Sequence, residues 1–178
     1  MGRACVWFPV NKSTLHPDME NNRSELLKIG QSMKTVRSHP ASEIKKIQID
    51  AYASPEGDET RNRELSLRRA EALKGYMKEA YQLPDSLFAV SARGENWEGL
   101  AEAIRLDESL TDTRRAELLR IVEADDEVAT RKARLKSHQG GQSYQWLLRE
   151  VFPLLRVSEY RIDYTLPETA TNPDRELD

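Results

Sequence analysis

Two periodicities alternate along this chain, and together they predict a sheet of about four strands covered by helices. Short runs rich in β-branched and aromatic residues predict strands at Ala4–Val10, Glu43–Tyr52, Leu87–Ala92 and Arg156–Leu166. Apolar residues at three- and four-residue spacing predict helices over 18–36 and 60–80. One helix between two strands predicts a right-handed crossover and a parallel pair. The predicted fold class is therefore α/β, an α+β sandwich with a mixed sheet and helices on one face.

The chain between the third and the last predicted strand is helical for longer than such a sheet requires. Helical periodicity predicts helices at Trp97–Leu106, Thr111–Ala124, Asp126–Lys136 and Ser143–Leu155. We interpret residues 97–155 as a helical insertion inside one domain that spans residues 1–166. The polar, proline-containing tail 167–178 is predicted to be disordered.

The stretch Ile49–Lys78 carries the most informative pattern of the chain. Its strand is interrupted at Ser54–Gly57, because Pro55 removes a backbone donor and Gly57 frees the backbone geometry. An amphipathic helix follows, and its possible N-terminal caps are Asp58, Glu59 and Thr60. Arg69 falls on the edge of the apolar stripe of this helix, where a cation needs an anionic or carbonyl partner. The loop and Arg69 are therefore the candidate functional residues.

Charge and cysteine content exclude several classes of protein. The net charge is −3, which argues against a general nucleic-acid binder, and the mean hydropathy is −0.72. Cys5 is the only cysteine and the three histidines are scattered, so no disulfide, metal site or cofactor is predicted. No apolar run is long enough to predict a membrane span. Because no secretory signal opens the sequence, we expect a longer parent protein that carries the export signal.

The sequence contains no motif that carries a catalytic mechanism. Ser54 is not in a G-x-S-x-G turn, and neither a glycine-rich phosphate loop nor H-E-x-x-H occurs. Glu56 and Asp58 would offer two carboxylates for glycan hydrolysis, but adjacent acidic loop residues are common and set no geometry. The prediction is that this protein is not an enzyme.

Four motifs, in the same order, resemble those of OmpA-like peptidoglycan-associated domains. Asn62–Leu73 (NRELSLRRAEAL) resembles the N-x-x-L-S-x-x-R-A-x-x-V helix, and Ala51–Gly57 aligns without a gap with the G-[YH]-T-D-x-x-G loop. Ser91–Gly94 matches S-A-R-G, and Phe8–Pro17 resembles the opening segment F-x-x-N/D-K-x-x-L-x-P. The S-P-E-G loop resembles that of OmpA-family proteins from Bacteroidetes. The resemblance covers the N-terminal two thirds of the domain and its last strand, but not the insertion.

The resemblance implies a specific chemistry for the loop and the helix. In typical members, the loop aspartate and the helix arginine hold the diaminopimelate of a peptidoglycan stem peptide, one through its ammonium and the other through its carboxylate. Arg69 matches the arginine, but Ser54 stands where the aspartate is expected, and a hydroxyl cannot neutralise an ammonium. Glu56 and Asp58 are candidates to replace that charge. Alternatively, Arg69 forms an internal ion pair and the loop is only a rigid turn.

Two asparagines complete the candidate peptidoglycan-binding residues. Asn62 matches the asparagine at the start of the family helix, and Asn11 matches the polar position of the opening segment. Their alternatives are a helix cap and a turn residue. The helix also carries a basic cluster that could bind phosphate, but glutamates interleave with it, so we favour a solvated helix face. The cluster consists of Arg61, Arg63, Arg68 and Arg69.

The resemblance therefore implies a non-covalent peptidoglycan-associated domain that tethers an outer-membrane protein to the cell wall, at the periplasmic face of the outer membrane. The alternative is a divergent OmpA-like interaction module of an envelope or fimbrial assembly that no longer binds peptidoglycan. Three aromatic residues of the insertion, Trp97, Tyr144 and Trp146, could dock such a protein partner. Their other interpretation is core packing of the inserted helices.

Overall fold

The computed structural model describes residues 2–19 and 21–165, and the predicted tail lies outside them. Its single sheet has the order β1-β4-β2-β3. The strands are β1 (Gly2–Trp7), β2 (Glu43–Ala53), β3 (Phe88–Glu95) and β4 (Val157–Thr165). β4 runs antiparallel to both β1 and β2, whereas β2 and β3 are parallel. The predicted mixed sheet and its parallel strand pair are confirmed.

Two helices, α1 (Asn22–Arg37) and α2 (Glu59–Tyr81), cover one face of this sheet. Their apolar stripes and alternate residues of the strands form the main buried cluster, because successive side chains of a strand point to opposite faces. The members of this cluster include Val6, Ile29, Met33, Ile47, Ile49, Leu73, Met77 and Ile162. The prediction that both helices pack on the same face is therefore confirmed.

The first strand and the first helix are shorter than the sequence pattern predicts. β1 ends at Trp7 and α1 begins at Asn22. The Asn22 side chain accepts a hydrogen bond from Trp7 N at 2.7 Å and donates one to Trp7 O at 2.9 Å, while Glu25 accepts from Cys5 N at 2.9 Å. These side chains satisfy the outer edge of β1, which would otherwise present unpaired backbone groups.

The predicted insertion forms five helices with a buried cluster of their own. They are α3 (Trp97–Leu106), α4 (Asp112–Val122), α5 (Val128–Ser137), α6 (Gln142–Trp146) and α7 (Phe152–Leu155), with a π-helical turn at Leu147–Val151. Three aromatic residues of these helices pack against this second cluster, in agreement with the core-packing interpretation; they are Trp97, Tyr144 and Trp146. No helix among the described residues is long and apolar enough to cross a bilayer.

The insertion meets the sheet at the edge where β2 and β3 end. Because these strands are parallel, their carboxyl ends lie at the same edge, and Asn96 N donates to Ala53 O at 2.8 Å there. Lys132 on α5 reaches the same place and donates to Gly57 O at 3.0 Å. The fold therefore brings the loop that follows β2 into contact with the inserted helices.

Candidate ligand-binding cleft

An open cleft of about 390 Å³ lies beside the loop that joins β2 to α2. Its lining residues are Asn11, Glu56, Gly57, Asp58, Arg61, Asn62, Leu65 and Arg68. The structure thus brings together four of the six candidate residues on one cleft, namely Asn11, Glu56, Asp58 and Asn62. Ser54 and Arg69 are buried behind it, with 3% and 0% of their surface exposed.

Local sequence explains the shape of the loop. Gly57 has a φ of +76°, a conformation that favours glycine, and Glu56 N donates to Ser54 O at 2.8 Å in a tight turn. The Asp58 carboxylate accepts from Arg61 N at 2.8 Å, so Asp58 is the N-terminal cap of α2, one of the three predicted possibilities. This cap places the Asp58 carboxylate at the rim of the cleft.

Arg69 is held entirely by main-chain oxygens. Its guanidinium donates to Lys12 O at 3.0 Å, Tyr52 O at 2.9 Å and Pro9 O at 3.0 Å, and it lies 5.5 Å from the centre of the Phe8 ring. Burial lowers the pKa of Arg69 to about 10, and the neighbouring Arg156 charge adds to the shift. Carbonyl oxygens, and not the acidic neighbour of the ion-pair interpretation, are therefore the hydrogen-bond partners of this cation.

Ser54 and Glu56 bind an arginine that comes from the far end of the insertion. Arg156 pairs with the Glu56 carboxylate at 2.6 Å, and its Nε lies 3.3 Å from the Ser54 hydroxyl. The Ser54 hydroxyl donates to the same Glu56 oxygen at 2.8 Å. The Arg156 guanidinium thus binds the polar side chains of the loop on the side that faces the protein interior.

A second internal ion pair lies below the start of α2. Lys132 pairs with the Glu95 carboxylate, which also accepts hydrogen bonds from Asn62 at 2.7 Å and from the Trp97 indole at 3.0 Å. Asn62 donates in addition to Glu56 O at 2.7 Å. Asn62 therefore connects the loop to the end of β3 through its side chain. This role differs from the simple helix cap that was its alternative interpretation.

The outer wall of the cleft carries two exposed arginines. Arg61 and Arg68 lie about two turns apart on α2, and the Arg68 guanidinium is 3.8 Å from the Glu64 carboxylate, a weak surface pair. A guanidinium can hold a carboxylate through two parallel hydrogen bonds. The cleft is therefore chemically suited to a ligand that carries carboxylates. Within residues 2–19 and 21–165, no group of histidine, cysteine or acidic side chains is arranged to hold a metal ion.

The uncovered face of the sheet carries another cleft, of about 340 Å³. Its centre is the buried Asp50, which accepts hydrogen bonds from Arg93 at 2.9 Å and Arg161 at 2.8 Å. Desolvation raises the pKa of Asp50, but the hydrogen bonds from both arginines outweigh it and hold the pKa below its ordinary value of 3.8. Arg93, which follows the predicted third strand, therefore has a structural ion pair.

The sequence pattern does not reveal that several charged residues lie at or behind the cleft. The alternating charges of α2 predict a solvated face for Arg61 and Arg68, because such a pattern does not show which loop faces the helix. Lys132 and Glu95 are separated by 37 residues and no local pattern links them. Arg156 is the first residue of the last predicted strand, and no local pattern links it to Glu56, which lies 100 residues earlier.

Comparison with known proteins identifies a family. A model described as the OmpA family matches residues 7–117, well over half of the chain. The search of curated proteins found no match. Two similar solved structures are the peptidoglycan-associated lipoprotein from Burkholderia pseudomallei and the OmpA-like domain of FopA1 from Francisella tularensis. The first is 12% identical with a TM-score of 0.47, over 90% of both chains. The second is 14% identical with a TM-score of 0.47, over 92% of this chain and 72% of the other.

Proposed function

Because this chain belongs to the OmpA family, we propose that it is a non-covalent peptidoglycan-associated domain that binds a stem peptide in the cleft beside residues 54–58. The proposal rests on one observation, namely that the loop and two exposed arginines, Arg61 and Arg68, line the same cleft. The loop that corresponds to the family's ligand loop forms one wall of an open cleft, and Arg61 and Arg68 line the same cleft. Carboxylates of the stem peptide would meet these guanidiniums.

Burial changes the role proposed for Arg69. The sequence resemblance makes it the ligand's carboxylate partner, but three main-chain carbonyls already accept its hydrogen bonds. We therefore assign the direct carboxylate contact to Arg61 and Arg68, and assign to Arg69 the support of the cleft floor. Asn11, Asn62, Ser54, Glu56 and Asp58 remain proposed parts of the binding region.

The test is sedimentation of the purified domain with isolated peptidoglycan sacculi. The double variant Arg61→Ala/Arg68→Ala removes both exposed cations, so we expect binding to weaken by about tenfold or more. Arg63→Ala is the matched control, because Arg63 is exposed on the same helix but does not line the cleft. Binding should also weaken with added salt, since exposed charge pairs are screened.

The same proposal includes a place and a purpose in the cell. A domain that binds the cell wall without a covalent bond would tether its parent protein, which we propose to lie at the periplasmic face of the outer membrane. Fractionation of cells that express the full-length protein tests this placement. Recovery of the protein in the cytosolic fraction would contradict it.

A second candidate function is a divergent protein-interaction module of an envelope or fimbrial assembly. The expected binding groups already have hydrogen-bond partners inside the protein, and this observation favours the alternative. Arg156 donates to Ser54 and Glu56, and Arg69 donates to main-chain carbonyls. Under this alternative, the wild-type domain does not sediment with sacculi even at low salt. That result would overturn the peptidoglycan proposal.

A further inference from the structure

The acidic groups around the cleft all have internal partners. The Glu56 carboxylate pairs with Arg156, and the Glu95 carboxylate pairs with Lys132. The third, Asp58, accepts a backbone hydrogen bond from Arg61 N at 2.8 Å at the start of a 23-residue helix. The partial positive charge of that helix end offsets the Asp58 charge. Glu56 and Glu95 are therefore neutralised by cations of the protein itself, and Asp58 is engaged as the cap of α2.

The two cations that neutralise these carboxylates come from the insertion and its end. Lys132 lies on α5, and Arg156 follows α7 directly before β4. Both side chains are largely buried, at 11% exposure each, so water screens these ion pairs less than it screens surface pairs. The insertion thus determines the charge that the loop presents to the cleft.

The charge that remains on the cleft surface favours anions. Arg61 and Arg68 are exposed on its wall, whereas Glu56 shares its carboxylate with the Arg156 guanidinium through two nitrogen contacts, at 2.6 and 3.2 Å. A ligand ammonium that approached Glu56 would have to compete with a covalently attached cation. The cost of displacing that cation would offset most of the gain from binding the ammonium.

We propose that Arg156 takes the position of a ligand ammonium, so that the cleft binds a carboxylate-bearing peptide whether its neighbouring amine is free or acylated. This inference rests on the proposed function, and it specifies the ligand class of the same cleft. Arg156 is a positioning residue, because it acts through Glu56 and Ser54 and not through contact with the ligand. Stem peptides whose side-chain amine is already in an amide bond are therefore ligands.

The test compares two synthetic stem tripeptides that differ only by acetylation of the side-chain amine of diaminopimelate. Their dissociation constants for the wild-type domain are measured by isothermal titration calorimetry, and we expect them to agree within about threefold. In Arg156→Gln, Glu56 loses its cation, so the free amine should be preferred by about tenfold, which corresponds to about 1.4 kcal/mol. Arg156→Lys keeps a positive charge and should restore equal binding.

The outcomes separate this inference from the function on which it rests. If the wild type binds neither peptide and does not sediment with sacculi, the proposed function fails. If the wild type binds the free amine at least tenfold more tightly, the peptidoglycan proposal stands and the role of Arg156 is overturned. Equal binding of both peptides by Arg156→Gln would also overturn that role. Should Arg156→Gln fail to fold, the wild-type comparison alone still decides whether the amine is required.

Discussion

Arg68 and Arg69 are neighbours in sequence, but the helix directs them to opposite environments. Arg69 points into the protein and donates to the carbonyls of Pro9, Lys12 and Tyr52, so it fastens the segment after β1 to the end of β2. Arg68 points to solvent and lines the cleft. A buried cation is stable only with such complete hydrogen bonding. The two residues should therefore respond differently to the same substitution.

We predict that Arg69→Met destabilises the domain by about 3 to 5 kcal/mol, because it removes the three hydrogen bonds by which a fully buried side chain joins the carbonyls of Pro9, Lys12 and Tyr52. Arg68→Met, the matched control, should change the free energy of unfolding by less than about 0.5 kcal/mol. Urea denaturation monitored by circular dichroism measures both. A stability of Arg69→Met equal to that of Arg68→Met would contradict the structural role of Arg69.

At the scale of secondary-structure elements, α5 connects the insertion to the loop. Lys132 projects from its buried side and bonds to Glu95 at the end of β3 and to Gly57 O in the loop. Since Asn62 bonds to Glu95 as well, one lysine stabilises both the loop and the start of α2. The inserted helix is therefore a structural support for the candidate site.

Lys132→Met should lower the free energy of unfolding by about 2 to 4 kcal/mol, because the buried Glu95 carboxylate loses its cation but keeps two other donors. The loop and the start of α2 should also open more often, because Lys132 no longer holds them. The amides of Glu56, Arg61 and Asn62 are therefore expected to exchange hydrogen faster than in the wild type. Lys136→Met is the control, as Lys136 is exposed on the same helix. Unchanged exchange at the three amides would show that α5 does not support the loop.

On the scale of the whole molecule, two buried clusters share one chain. The sheet and its two helices form one cluster, and the inserted helices form the other. The insertion begins directly after β3 and ends directly before β4, and two largely buried ion pairs cross between the clusters. These connections predict that both clusters unfold together.

This coupling is testable with one truncation in each cluster, in a Trp7→Phe background where Trp97 and Trp146 report on the insertion alone. Ile49→Ala in the sheet and Leu118→Ala in the insertion each create a cavity at a fully buried position. Each should destabilise the protein by about 2 to 5 kcal/mol. We expect both variants to shift the urea transition of the tryptophan fluorescence. If Ile49→Ala leaves that transition in place, the insertion unfolds independently.

Local patterns in the sequence were sufficient for most of the architecture. Alternation and helical spacing identified the four strands, the two covering helices and the helical character of residues 97–155, and the structure moves the ends of these elements by a few residues. The turn at Ser54–Gly57 also follows from neighbouring residues, and so does the set of three possible caps, from which the structure selects Asp58. These features depend on backbone conformation and on interactions within a few positions, which the order of residues specifies directly.

Only the tertiary structure decided which charges meet at the cleft. Periodicity placed Arg69 at the edge of a buried stripe, but its three carbonyl partners come from other segments of the chain. Arg156 and Glu56 are 100 residues apart, and Lys132 and Glu95 are 37 apart. A spacing rule states which face of an element a residue occupies, and does not state which element packs against that face. Pairing between distant charges is therefore set by the packing of the insertion on the sheet.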